Sequence, residues 1–360
     1  MRRPGGPVTT IAVVLMAASA AAAHAANQPA AAPEHSAGST SISRVPAAGS
    51  PPAAGAYRAL LEELRAAEQR SGGVLGVAAW RLDGAGPRVL LNEAEAFPMA
   101  STFKVAVAAK VLSLIDAGQL SLDDMAVVDP GLHVESEVIA NRLIHPGVSL
   151  SVHNLLELMI TQSDNTATDV LMRLAGGTGA VTEWLHRSGV SGQRVDRDTA
   201  GLLRDFLRLP PGPFNAVLAQ ALERDPTLEQ LATLPNDSFD NDARDTSTPE
   251  AMSVLLTHIF AGAALSGPST DELTAMMGRC RTGEARLKGL MPAGTSVAHK
   301  TGTLGGSVND VGVVTLPQNR GRVVISVFVK KSALPIAERE RAIAEVARSV
   351  RDFYLFSPLP

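Results

Sequence analysis

The chain has 360 residues, 45% of them hydrophobic and 19% charged, a balance that suits a folded protein with a sizeable core. A formal charge of −4 argues against a nucleic-acid binder, which needs a basic face. Cys280 is the only cysteine, so an internal disulfide, a cysteine zinc site and an iron–sulfur cluster are excluded.

Arg2 and Arg3 open the chain, and the apolar run from Ile11 to Ala23 is too short to span a bilayer. Ala23-His24-Ala25 then offers a small-residue cleavage site. Residues 1–25 therefore read as a signal peptide and predict a periplasmic or secreted protein with no transmembrane segment after cleavage. Residues 26–55 are rich in Ala, Pro, Ser and Gly without apolar periodicity and read as a flexible tether. One domain is expected over 56–360.

Leu60, Leu61 and Leu64 follow helical spacing, and Gly72-Gly73 stops that helix. Val74–Leu82 and Pro87–Leu91 flank Asp83-Gly84-Ala85-Gly86 as a hairpin. Thr102 to Ala117 is nearly all apolar, a buried helix closed by Gly118. Val152–Ile160 and Thr166–Leu174 are further helices. Strands return at Ser296–Thr301, Asn309–Leu316 and Arg322–Lys330, followed by an amphipathic helix from Ile336 to about Tyr354. Strands at both ends predict an α/β (α+β) fold, with one antiparallel sheet lobe built from about 56–100 and 263–360. An all-helical lobe, about 101–262, interrupts it.

Three short motifs carry chemistry. In Ser101-Thr102-Phe103-Lys104, residues three apart share a helix face, which places an amine beside a hydroxyl that needs a base to become a nucleophile. A lysine among apolar neighbours loses its charge readily enough to serve. In Ser163-Asp164-Asn165, between two helices, the hydroxyl is suited to relay a proton and the amide to hold a carbonyl; the same residues also make an ordinary helix cap. In Lys300-Thr301-Gly302-Thr303, on a strand, the ammonium and hydroxyls suit a carboxylate, and Gly302 lets a backbone approach. An exposed edge-strand lysine is the plainer reading of that third motif. Each is ambiguous alone; their order gives them weight.

That order, S-x-x-K, S-D-N and K-T-G, resembles the active site of class A β-lactamases and the related penicillin-binding DD-peptidases. Supporting stretches are Phe97-Pro98-Met99-Ala100 before Ser101, Arg244-Asp245-Thr246-Ser247-Thr248-Pro249, and Thr282-Gly283-Glu284-Ala285-Arg286-Leu287. The resemblance implies a sheet lobe and a helical lobe with the site between them. It makes Ser101 the nucleophile, Lys104 its base and Ser163 a proton shuttle. Asn165 binds the substrate amide, Lys300, Thr301, Gly302 and Thr303 hold its carboxylate side, and the N–H groups of Ser101 and Thr303 form the oxyanion hole. It further implies an ion pair of Asp245 with Arg197 or Arg244, anchoring an Ω-loop over about 197–245.

One position departs from the family. Its deacylating glutamate follows the Ω-loop arginine by two residues, and Arg197-Asp198-Thr199 puts Thr199 there. Threonine is no carboxylate base. The loop is also enlarged, with helical stretches at Leu202–Leu207 and Phe214–Leu222 and acids at Glu223, Asp225 and Glu229. Either one of these acids or Asp198 folds back as the base, or all are solvated surface groups. The expected activity is β-lactam hydrolysis through a Ser101 acyl-enzyme. The alternatives are a DD-peptidase or esterase-like relative that deacylates slowly, and a non-catalytic penicillin or peptidoglycan binder.

No cofactor is expected, and no metal, because His133, His145, His153, His186 and His258 lack ligand spacing. His299 neighbours Lys300 on a strand and is expected to face away from it. Cys280 reads as a packed thiol. The partner is a small-molecule β-lactam or cell-wall peptide, and the protein is expected to be monomeric.

Overall fold

The computed structural model describes residues 52–356, so the leader and almost all of the tether lie outside the described residues. Helix α1 (Pro52–Ser71) leads into β1 (Val74–Arg81), β2 (Val89–Leu91) and the short β3 (Phe97–Pro98). A 3-10 turn, Ala100–Phe103, runs directly into α2 (Lys104–Asp116). The helical lobe continues through β4 (Met125–Val127), α3 (Ile139–Arg142), β5 (Ser149–Ser151), α4 (Val152–Thr161), α5 (Asn165–Leu174) and α6 (Thr178–Arg187). The enlarged loop holds α7 (Thr199–Leu207), α8 (Phe214–Arg224), α9 (Leu228–Leu231) and α10 (Asp237–Asp240). After β6 (Thr246–Ser247) come α11 (Pro249–Phe260), α12 (Gly267–Gly278), β7 (Val297–Leu304), β8 (Ser307–Thr315), β9 (Arg322–Lys330) and α13 (Ile336–Phe356).

The main sheet has the order β2-β1-β9-β8-β7, and every neighbouring pair is antiparallel. Its first two strands come from the start of the chain and its last three from the end, as the strand pattern predicts. Both faces are covered, which is why β1 and β9 are nearly continuous apolar runs instead of alternating ones. Leu75, Val77, Ile325 and Val329 face one core, packed by Leu60 and Leu64 of α1 and by Ile343 and Val350 of α13. Trp80, Val324 and Phe328 face the other core, which runs on through α2, α4, α5 and α11. Strand β7 begins one residue later and runs three residues further than the sequence suggests; β8 starts two residues earlier. The extra length brings all of Lys300–Thr303 onto an edge strand.

The enlarged loop forms a third small core. Leu202, Leu203, Phe206, Phe214, Leu218 and Phe239 pack together and against Ala100 and Leu304, with the Phe206 and Phe239 rings edge to face at 5.2 Å. Main-chain bonds fix it to the end of β7, where Gly305 N donates to Ala232 O at 2.8 Å. Buried Arg339 of α13 reaches over to Gly305 O and Thr233 O at 2.9 and 3.0 Å.

At its base the loop is held by Asp245, whose side chain is 2% exposed. Its Oδ1 accepts from the N–H groups of Asp196 and Arg197, and its Oδ2 pairs with Arg197 Nε at 2.6 Å. Arg244, the other candidate partner, instead pairs with Asp242 at the surface. Removing one member of a buried pair leaves donors and charge uncompensated. Asp245→Ala is therefore expected to cost about 3 kcal/mol of stability, read from urea unfolding; a loss below about 1 kcal/mol would show that the pair does not anchor the loop.

Candidate active site

Ser101 sits in the 3-10 turn, not in the first turn of α2, and Lys104 is the first residue of that helix. The residue before the serine, Ala100, holds φ at 44°, a left-handed conformation that costs an L-residue energy and collects at functional sites. Ser163 shares this trait, with φ at 58°. The turn is pinned from behind: Asn309 Nδ2 of β8 donates to Pro98 O and Met99 O at 2.9 and 3.0 Å. Thr102 Oγ1 adds a bond to Met99 O at 2.8 Å. Gly302 makes room for the same turn, because a Cβ there would stand 2.5 Å from Met99 O and 3.1 Å from Ser101 N. Edge strand β7 thus runs directly against the serine's main chain.

Lys104 has no exposed surface. Its Nζ lies 2.7 Å from Ser163 O, 3.2 Å from Ser163 Oγ and 2.8 Å from Asn165 Oδ1. The amine therefore reaches across to Ser163-Asp164-Asn165, and Ser101 Oγ has no hydrogen-bond partner among the described residues. Lys300, also without exposed surface, donates from the other lobe to Ser163 Oγ at 3.0 Å and to Thr301 O at 2.9 Å. One hydroxyl is thus shared by two buried amines. Burial first, and then the charge of Lys300, holds Lys104 well below the ordinary lysine range. Burial also lowers Lys300, to about 8, against the opposing charge of Asp310. Both amines therefore give up a proton more readily than an exposed lysine.

Asp164 turns away from the amines and does structural work, capping α5 through Ala167 N and accepting Ile139 N, both at 2.9 Å. Asn165 Nδ2 donates to Glu135 O at 2.7 Å, so its amide is oriented from two sides. Thr301 Oγ1 lies 2.5 Å from Thr282 Oγ1, which Cys280 Sγ contacts in turn at 3.3 Å; the cysteine is a packed thiol behind the site. His299 points to the opposite side of β7, where its Nδ1 lies 2.9 Å from Asp310. The expectation that it faces away from Lys300 agrees with the structure.

Two contributors escaped the motif reading. Buried Arg286, quoted only within a supporting stretch, donates from Nη2 to Thr303 Oγ1 at 2.7 Å and from Nη1 to Gly302 O at 3.1 Å. Glu340 of α13 steadies it at 3.0 Å. Asn309, with its grip on Met99, is the other. Neither lies within the three motifs, because each acts from a neighbouring strand or turn.

A cleft opens above these groups. Ser101, Ser163, Asn165, Thr301 and Thr303 line it on the catalytic side. Thr199, Leu202, Leu203, Ala232 and Thr233 of the enlarged loop line the opposite wall. Among the described residues none of the lining side chains is an aspartate or glutamate. Asp198 caps α7 through Gly201 N. Glu223 and Asp225 are exposed at the end of α8, and Glu229 is partly exposed on α9. The fold brings none of the four into the cleft; the reading of them as surface or capping groups is the one that fits.

Comparison with known proteins agrees with this architecture. A model of the β-lactamase enzyme family matches residues 59–354. The extended-spectrum β-lactamase PER-1 of Pseudomonas aeruginosa is 30% identical over 78% of this chain and 82% of its own length. β-Lactamase VEB-1 of the same organism is 32% identical over 72% and 78%. Among solved structures, an ancestral class A β-lactamase is 33% identical and superposes with a TM-score of 0.67 over 81% of this chain and 99% of its own. A β-lactamase from Xanthomonas campestris is 28% identical, with a TM-score of 0.68 over 83% and 98%. By its sequence and by its fold, the chain belongs to the class A β-lactamase family.

Proposed function

We propose that the protein is an exported serine hydrolase that opens the amide of a β-lactam through an acyl-enzyme on Ser101. The observation that carries this reading is Ser163 Oγ, placed within 3.2 Å of one buried amine and 3.0 Å of another. A neutral Lys104 has two N–H groups, enough for Ser163 O and Asn165 Oδ1, and keeps a lone pair for a hydroxyl proton. In the first step Ser101 Oγ attacks the carbonyl carbon while its proton passes to Lys104. Ser163 hands a proton to the departing nitrogen. The developing oxyanion rests between the N–H groups of Ser101 and Thr303, each such donor being worth on the order of 3 kcal/mol. Lys300, Thr301 and Thr303 hold the substrate carboxylate, with Arg286 keeping the Thr303 hydroxyl in place. The extended-spectrum relatives and the leader-like N-terminus support export and a β-lactam substrate.

A second reading is favoured by the opposite wall of the cleft. With Thr199, Leu202 and Leu203 there and no carboxylate among its lining residues, attack on the ester by water lacks its usual base. Under this reading the acyl-enzyme forms readily and decays slowly, as in a penicillin-binding DD-peptidase whose own substrate is a cell-wall peptide or ester.

Intact-mass measurement after mixing with a penicillin is expected to show a stoichiometric adduct. Ser101→Ala should abolish it, and a labelled Ser101→Ala protein would overturn the nucleophile. An adduct that clears within seconds favours the first reading, and one that persists for minutes the second.

The rate of acylation at low substrate is expected to be level near neutral pH and to fall as pH rises through about 8. There Lys300 loses its proton and the substrate carboxylate its counter-charge. The loss should be about tenfold by pH 9.5, carried by weaker substrate binding. Lys300→Gln should lose that limb; a profile of the parent protein that stays flat to pH 9.5 would remove Lys300 from substrate binding.

A further inference from the structure

Behind the wall of the cleft where a carboxylate is missing, one stands a single residue away. Asp169 lies on α5 one helical turn after Asn165, hence on the same face of the helix. It is 4% exposed. Its two oxygens accept the first main-chain N–H groups of α7, Oδ1 from Thr199 at 2.7 Å and Oδ2 from Ala200 at 3.0 Å. Each oxygen keeps a second lone pair for another donor.

Thr199 is the residue between Asp169 and the cleft. It lines the same cavity as Ser101, and its side-chain hydroxyl is buried without a hydrogen-bond partner. Buried polar atoms are seldom left unpaired, so an orphan of this kind marks a place for a water or a ligand. Asp169 is held to the main-chain N–H of Thr199, so the carboxylate and the hydroxyl meet at one turn. Asp169 also lines a second cavity, which it shares with His133, Arg173, Asp198 and Arg204.

We propose that Asp169, acting through the hydroxyl of Thr199, is the base for the water that hydrolyses the Ser101 acyl-enzyme. The inference rests on the acyl-enzyme reading above and supplies its second step. The water oxygen bonds to the acyl carbon as one of its O–H bonds breaks toward Thr199 Oγ1, and the proton of that hydroxyl passes to Asp169. When the ester bond to Ser101 breaks, the proton returns through Thr199 to Ser101 Oγ, leaving free serine and a carboxylic acid product. Burial, and then the neighbouring charge of Asp198, raises Asp169 from the ordinary aspartate range to about 6, so the group is a competent base at neutral pH and yet can hold a proton.

The test follows formation and decay of the penicillin adduct on the full mature protein by intact mass, between pH 5 and 8. Decay in the parent protein is expected to quicken as pH rises through about 6 and then level off. Thr199→Val and Asp169→Asn should slow decay at least about tenfold, with adduct formation held within about threefold. Thr199→Ser should restore the parent rate, and Asp169→Asn should lose the pH limb. His133→Gln, altering the histidine of that cavity, should keep the limb.

Decay of the Thr199→Val adduct at the parent rate would overturn the relay, as would a limb that vanishes in His133→Gln and survives in Asp169→Asn. Should Asp169→Asn fail to fold, Thr199→Val decides alone, because it leaves both main-chain bonds to Asp169 in place. A folded parent protein that forms no adduct sinks the acyl-enzyme reading and the relay with it, whereas an adduct indifferent to Thr199 sinks only the relay.

Discussion

Two lysine side chains with no exposed surface converge on one serine hydroxyl from opposite lobes, and the rest of the site is arranged around that constraint. Two ammonium groups this close in a dry interior repel each other, and removing either from water is costly. The structure resolves the conflict by dividing the roles. Burial and the charge of Lys300 lower Lys104 well below its ordinary range, while burial lowers Lys300 to about 8 against the charge of Asp310. The division makes chemical sense of both motifs, since a base must be neutral and an anion clamp charged. Ser163 holds a left-handed backbone while presenting both its carbonyl and its hydroxyl to Lys104.

Holding the two lobes in register requires supports that touch no substrate. Asn309 ties β8 to the main chain just before the nucleophile, and Gly302 lets β7 approach the same turn. Arg286 and Glu340 form a nearly dry pair that joins β7 to α13. The enlarged loop adds a further brace by packing Leu202, Leu203 and Phe206 against Ala100 and Leu304. Its apolar residues therefore serve two purposes, closing a small core and forming one wall of the cleft.

Legibility in the sequence followed burial. Strand β9 and helix α2 stand out because they are covered on all sides and must be apolar throughout, and β9 runs from Arg322 to Lys330 as its composition suggests. Ser101, Lys104, Ser163 and Lys300 are readable because their spacing in short motifs is itself the signal. The backbone around them is not: nothing in Pro98-Met99-Ala100 announces a 3-10 turn with Ala100 left-handed, since tertiary bonds from Asn309 impose it. The placement of the inserted segment was equally hidden. Phe206, Phe214 and Phe239 hint that it has a core, but only the fold reveals which wall that core builds. Asp169 stands four residues after Asn165 on one helix face, but no short pattern marks it, because its partners arrive from a segment thirty residues away.

The two halves of a serine hydrolase's reaction ask for different physics, and this chain separates them in space. Under the proposed reaction, acylation needs a neutral amine, a proton shuttle and oxyanion donors, and the residues proposed for these roles are gathered where the two lobes meet. Deacylation needs a water and a base on the loop wall, and there the chain has an alcohol and two leucines. A remodelled loop can therefore change how long the acyl group stays without disturbing how it arrives. Asp169 is anchored to the start of α7 by the very bonds that position Thr199, so under the proposed relay loop architecture and the fate of the acyl-enzyme would be coupled through one side chain.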